Sequence, residues 1–295
     1  MSVIPDRPDW LGGADSHRYL VVDVFTPRPL QGNQLGVFLD GRRFDSDTML
    51  RLTRELEFAE TVFLLPPEAG GDVRVRIFTP GGELPFAGHP VLGTAFVVGS
   101  ALEADRVVLE TGAGAVPLEL ERDPGTGRIV FGRMQQPLPT CEPFDRAEQL
   151  LAAVGVERSL LPIEIYRNGP EHAYIALESE DAVASLRPNM ELLRDLGVGA
   201  NCFAGSGGRW KTRMFYPGFG VDEDAATGSA AGPLTLHLAR HGAIAFGDQI
   251  EIRQGEEINR PSLLYGKVTG SVDAVESIEV GGGAQIVASG EYRTG

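Results

Sequence analysis

Two short stretches of this 295-residue chain place reactive side chains at what read as helix entrances. In LPFAGHPVLGTAFVVG (84–99), His89 stands between Gly88 and Pro90, ahead of an uncharged apolar run. Proline suits the first helical position, where its missing N–H costs no helix bond, and Gly88 lets a ligand approach the backbone closely. In VDEDAATGSAAGPL (221–234), Asp224, Thr227, Gly228 and Ser229 take the corresponding place before a second apolar run. Unpaired amides at a helix N-terminus, together with the helix dipole, favour an anion. Two such ends converging on one cleft would hold a carboxylate, while polar side chains grip the rest of a substrate. Asp and Ser also serve as ordinary helix caps, and His89 could be a satisfied core histidine. The ligand reading accounts for both entrances at once, because histidine is a poor cap. Glu60 is a third titratable candidate, flanked by Phe58, Ala59, Val62 and Phe63. Such a setting raises a carboxyl pKa and lets the group act as acid or base near neutrality, although a glutamate taken alone is more often a solvated surface residue.

The elements that must carry these residues repeat once. RIFTP (76–80) returns as RMFYP (213–217), an offset of 137 residues from Arg76 to Arg213. The same step carries Gly32 of GNQLGVFLD onto Gly169 of GPEHAYIAL, each opening a strand-like stretch after a turn signal. A short helical pattern precedes each RxFxP motif, at 46–56 and 189–197, and a small-residue apolar segment follows it. Landmarks matched over about half the chain indicate duplicated domains. Short alternating strands recur, among them YLVVDVF, ETVFLL, VRVRIF and VVLET. One segment per half is apolar on every side: Val91, Leu92, Ala95, Phe96, Val97 and Val98, then Ala230, Ala231, Leu234, Leu236, Leu238 and Ala239. A helix without a polar face must be enclosed, so each half is expected to be a barrel of strands around a central helix. The Pro/Gly run DPGTGR (123–128) marks the division, giving halves 1–128 and 129–295 with a cleft between them. Residues 1–18 are expected to form a loose arm, and the last strand-like segment, 277–293, could complete the second barrel or return to the first.

Bulk composition narrows the function. A net charge of −15 argues against nucleic acid and anionic membranes as partners, since phosphate binding needs clustered Lys and Arg. No apolar run reaches a spanning length and no secretory signal pattern opens the chain, so a soluble, cytoplasmic protein is expected. Cys141 and Cys202 make neither a disulfide framework nor a CxxC motif. No metal site is expected: five histidines are scattered, and none is read as making an HxxxH or HxH pair with a carboxylate nearby. Arg260, in RQGEEINRPS, reads as part of a structural turn rather than an anion loop.

GNQLGVF, the AET of FAETVFLL, RIFTPGGELPFAGHPVLGTAF and RMFYPGFGVDEDAATGSAAGPL together resemble the PhzF-like phenazine-biosynthesis isomerase family. The motifs run from about residue 20 to GEEINRPS at 255–262. The resemblance implies the α+β fold of diaminopimelate epimerase, with two pseudo-symmetric halves, each a barrel of mainly antiparallel strands around a central apolar helix. It also implies a cofactor-free enzyme, frequently dimeric, acting on a small-molecule carboxylate. Epimerases of that fold use two cysteines across the cleft. Here Ala87 or its neighbour and Thr227 stand at the matching places, and neither Cys141 nor Cys202 lies at a helix entrance. The family's single catalytic glutamate maps onto Glu60, with His89 and Asp224 as its proton-assisting companions. Ser229, Gly88, Gly228, Thr227 and Asn33 map onto the substrate-binding set. The second-half stretch GANCFAG (199–205) has no carboxylate to mirror Glu60, so a proton shift between carbons is expected rather than inversion. A catalytically silent binding protein and an epimerase pairing Glu60 with Asp224 are the alternatives. The chain departs from the family pattern at Gln34, Val91 and Ala225.

Overall fold

The computed structural model describes residues 16–294. The expected loose arm lies outside the described residues over 1–15. From residue 16 onward that expectation is corrected, because Ser16, His17 and Arg18 pair with Arg293, Tyr292 and Glu291 in an antiparallel ladder.

The first half contributes strands β1 (Ser16–Val24), β2 (Asn33–Phe38), β3 (Glu60–Leu65), β4 (Val73–Thr79), β5 (Gly82–Leu84), β6 (Arg106–Thr111), β7 (Gly114–Arg122) and β8 (Ile129–Gln135). The second contributes β9 (Thr140–Pro143), β10 (Glu164–Arg167), β11 (Glu171–Ala176), β12 (Gly199–Ser206), β13 (Arg209–Tyr216), β14 (Val221–Asp224), β15 (Gln249–Gln254), β16 (Ser262–Gly270), β17 (Val275–Gly282) and β18 (Ala284–Arg293). The helices are α1 (Ser46–Leu56), α2 (Gly88–Leu102), α3 (Ala147–Val154), α4 (Glu180–Ala184), α5 (Met190–Leu196) and α6 (Gly228–Arg240). The two short helical patterns fall on α1 and α5. The Asp45 carboxylate caps α1 by accepting from the Thr48 amide at 2.8 Å, and the side chain of Asn189 caps α5.

Pairing repeats strand for strand. Parallel β2–β3, antiparallel β3–β4, parallel β4–β6 and antiparallel β6–β7 in the first half match β11–β12, β12–β13, β13–β15 and β15–β16 in the second. The ends are exchanged. After β8 the chain crosses to pair β9 with β10, and after β17 it crosses back to pair β18 with β1. The final strand therefore returns to the first half, and β8 pairs with β17 where the two barrels meet. The 123–128 run is the hairpin turn between β7 and β8, closed by the Asp123 amide on the Arg128 carbonyl. This is the α+β fold of the diaminopimelate epimerase type, with two pseudo-symmetric halves.

Helices α2 and α6 run through the two barrels, and their apolar residues pack against the inward-facing strand residues in one shared core. Val91, Leu92, Ala95, Leu234, Leu236 and Leu238 are all at most 3% exposed. No described helix is both long and apolar enough to cross a membrane.

Candidate active site

The N-termini of α2 and α6 meet at the centre of the molecule. A Cβ placed on Gly88 would lie 2.4 Å from the Gly228 carbonyl carbon and 2.5 Å from the Ser229 amide nitrogen. Glycine at both entrances is thus what allows the two helix ends to abut. Neither end is capped by a side chain, since Ala87 and Thr227 at the cap positions make no such bond. Capping by Asp224 or Ser229 is accordingly not their use here. The Asp224 carboxylate instead accepts from the Thr227 hydroxyl (Oδ2, 2.7 Å) and from Asn33 Nδ2 (Oδ1, 2.7 Å).

All eight residues singled out in the sequence gather around this junction. Glu60 opens β3, His89 is in the first turn of α2, Asp224 ends β14 and Asn33 opens β2. Glu60, Asp224, Thr227 and Ser229 line a small cavity together with His172 and Tyr216. His89 is 2% exposed and touches Glu60, its Nδ1 lying 3.2 Å from Oε2. The Glu60 side chain keeps 15% exposure, so it can meet both His89 and a molecule in the cavity. A wider groove near Ser100, Arg122, Val130 and Ile286 opens at the far end of α2, away from the helix entrances.

Protonation follows from burial. Glu60 is raised well above the usual carboxylate range, first by burial and then by the charge of Asp224. Burial raises Asp224 to about 6, opposed by its bonds from Thr227 and Asn33. Two carboxyls so placed do not ionise together easily. The donors favour the charged form at Asp224, leaving the proton on Glu60. Burial lowers His89 to about 3, so its imidazole is neutral. Asn33 Nδ2 has two hydrogens and three acceptors nearby: Asp224 Oδ1 at 2.7 Å, the Ala226 carbonyl at 2.9 Å and His89 Nδ1 at 3.2 Å. The two shorter bonds use both hydrogens, and His89 Nδ1 remains free to accept the proton of Glu60. The contact between Glu60 and His89 is then a neutral hydrogen bond.

The sequence reading missed His172 and Asn201. His172 is 1% exposed, and burial lowers it to about 3. Its Nε2 lies 3.1 Å from Ser229 Oγ and its Nδ1 lies 3.3 Å from Asn201 Nδ2. The repeat could have revealed it. In the ladders Leu35 pairs with Glu60 and His172 with Gly199, so a polar residue stands where the first half has a core leucine. Gln254 was missed too; its amide bonds the Thr227 amide, the Thr227 hydroxyl and the Asp224 carbonyl, and so fixes the second entrance.

The premise behind the metal expectation, that no HxxxH pair has a carboxylate nearby, needs correction. His237 and His241 stand in HLARH on α6, and the fold brings Glu164 to them from β10, with all three donor atoms within 4.8 Å of one another. The Glu164 carboxylate Oε2 lies 3.1 Å from His237 Nδ1, 3.1 Å from His241 Nε2 and 2.8 Å from the Tyr166 hydroxyl. The Arg240 guanidinium lies 3.9 Å from the other carboxylate oxygen. That carboxylate already has a cation and three hydrogen-bonding partners, so the cluster is a hydrogen-bonded network at the opposite end of α6. Arg260 is structural as expected, bonded to Asp23 and to the carbonyls of Gln31 and Gly32.

The sequence profile of the phenazine biosynthesis-like protein family matches residues 22–290. A trans-2,3-dihydro-3-hydroxyanthranilate isomerase of Pseudomonas aeruginosa is 50% identical over 275 residues, covering 93% of this chain and 98% of the relative. Among solved structures, a predicted epimerase from Pseudomonas aeruginosa is similar with a TM-score of 0.79 at 32% identity, covering 95% of this chain and all of its own. A phenazine biosynthesis protein of the PhzF family from Bacillus anthracis shares the fold, with a TM-score of 0.80 at 24% identity and coverage of 95% and 99%.

Proposed function

The chain belongs to the phenazine biosynthesis-like protein family and is an isomerase, and we propose that it shifts a proton between two carbons of a small unsaturated amino carboxylic acid without a cofactor. The substrate we assign is trans-2,3-dihydro-3-hydroxyanthranilate, the compound in the name of the relative that is 50% identical. Glu60 is the proton carrier. Protonated at rest, it gives that proton to one carbon of the conjugated system and then, as the carboxylate, takes one from another carbon on the same face. His89 holds the carboxyl through Nδ1 and keeps it neutral between turnovers. A carboxyl titrating above its ordinary range is also the stronger base once it ionises. Asp224, kept anionic by Thr227 and Asn33, orients the substrate's cationic or hydroxyl groups. The abutting entrances of α2 and α6, at Gly88 and Gly228, hold the substrate carboxylate with Ser229 and Thr227.

The observation that carries this reading is the burial of one carboxyl, Glu60, which faces the cavity and bonds a neutral imidazole. Epimerisation would need a second proton carrier. Asp224 is the remaining carboxyl on the cavity, and its two 2.7 Å donors oppose protonation. In chain order we divide the protein at the β7–β8 turn, 128/129, with β8 added back to the first barrel by its pairing with β7, and take the working form to be a cytoplasmic homodimer.

The test is turnover of trans-2,3-dihydro-3-hydroxyanthranilate in deuterium oxide. Wild type is expected to place solvent deuterium on one carbon, and Glu60→Gln to lose at least about 10³-fold in kcat. Full turnover by Glu60→Gln would overturn the assignment. Binding by wild type with no deuterium exchange would make the protein a silent member of its family.

A further inference from the structure

We propose that His172, fixed by Asn201, is a positioning residue that makes Ser229 a hydrogen-bond donor to the substrate carboxylate. The inference rests on the isomerase reading and concerns the direction of one hydrogen bond within that site.

A histidine beside a serine usually suggests a base that takes the hydroxyl proton. Here the surrounding bonds run the other way. Asn201 Nδ2 lies 3.2 Å from the Gly199 carbonyl, which can only accept, so the NH2 end of that amide is fixed in place. The same NH2 group faces His172 Nδ1 at 3.3 Å. Nδ1 therefore accepts and carries no hydrogen. Burial keeps the ring neutral, so its one N–H is on Nε2, directed at Ser229 Oγ 3.1 Å away. Ser229 Oγ accepts that bond, and its own proton is free for a ligand. Ser229 lines the cavity with Glu60 and Asp224, and it sits in the first turn of α6, where the amides also favour an anion. A bare serine rotates freely. One held at its oxygen by His172 presents its proton in a fixed direction.

The packing agrees. A Cβ on Gly199 would lie 2.7 Å from His172 Nδ1, so the imidazole occupies the space a side chain there would need. Asn201 and His172 are 2% and 1% exposed, which shields both bonds from competing water.

The experiment is nitrogen-15 NMR of histidine-labelled protein, with His172→Gln used to assign the ring. The expected result is a neutral imidazole with hydrogen on Nε2 from about pH 5 to 8. A hydrogen on Nδ1 overturns the proposal without any functional measurement. Asn201→Asp supplies an acceptor to Nδ1 and should reverse the tautomer. KM for trans-2,3-dihydro-3-hydroxyanthranilate should then rise about tenfold with kcat within about threefold, since one directed bond to a charged group is lost. His172→Gln keeps an N–H and should stay within about threefold of wild-type KM, whereas His172→Leu should match Asn201→Asp. A reversed tautomer with unchanged KM overturns the proposal. Should wild type itself not turn the compound over, the isomerase reading fails alone. The tautomer and calorimetric binding of 3-hydroxyanthranilate to wild type and Asn201→Asp still decide the role of His172.

Discussion

Gly199 occupies in the second half the position that Glu60 occupies in the first. Phe63 pairs with Arg76 on β4, and Cys202 pairs with Arg213 on β13. Counting back three residues from each reaches Glu60 and Gly199. The parallel ladders agree, pairing Glu60 with Leu35 and Gly199 with His172. A fold that could offer two proton carriers across its cleft thus presents one, and the room for the other is filled by an imidazole.

Gly199→Ala tests that occupancy. Its methyl would meet His172 Nδ1 at 2.7 Å and Tyr216 Cδ1 at 3.2 Å, so the imidazole must move. We expect a loss of about 1–3 kcal/mol in chemical denaturation, together with a raised KM. An undisturbed His172 NMR signal in this variant would contradict the packing described.

Gly88→Ala should be worse. The added carbon would strike backbone atoms of Gly228 and Ser229 at 2.4–2.7 Å, which cannot rotate away. The two helix ends would have to separate. We expect destabilisation at the upper end of overpacking, about 3 kcal/mol or more, and loss of measurable activity. Near-wild-type melting and turnover would show that the ends need not touch.

Stability should follow pH through Glu60. Its folded carboxyl keeps the proton to higher pH than the unfolded one, whose pKa is near the usual 4.5. Its favourable contribution is therefore complete below that value and is lost as pH rises through the folded pKa. Glu60→Gln lacks this dependence. Its melting temperature should exceed that of wild type by a margin that widens above about pH 4.5 and then levels off. A margin that shrinks with rising pH would refute the assigned direction.

Glu164→Gln separates the hydrogen-bonded network from the site. Hydrogen bonding from His237, the largest cause, with further bonds from Tyr166 and His241, holds Glu164 down to about 2. The variant is expected to lose about 2 kcal/mol of stability at neutral pH and to keep its kcat, because the network sits at the opposite end of α6 from Ser229. Prolonged chelation of wild type should leave its melting temperature unchanged. A large drop on chelation would mean that Glu164, His237 and His241 hold a metal after all.

The sequence by itself specified the duplication, the central helices and the two entrances with His89, Asp224, Thr227 and Ser229, while Glu60 and Asn33 were picked out by the family resemblance. Those features are local. An all-apolar run such as Val91–Val98 must be enclosed, Gly88 and Gly228 precede the helices they open, and the RxFxP motifs fix the repeat. Tertiary structure decided what depends on residues far apart in the chain. Strand exchange put Ser16–Arg18 beside Glu291–Arg293, because hydrogen-bonding edges are matched in space and leave no periodic trace. Glu164 reached His237 and His241 across more than 70 residues. The use of Glu60 was decided there as well. Its proton depends on burial, on the charge of Asp224 and on which acceptors Asn33 satisfies, and those belong to the assembled site rather than to any stretch of the chain.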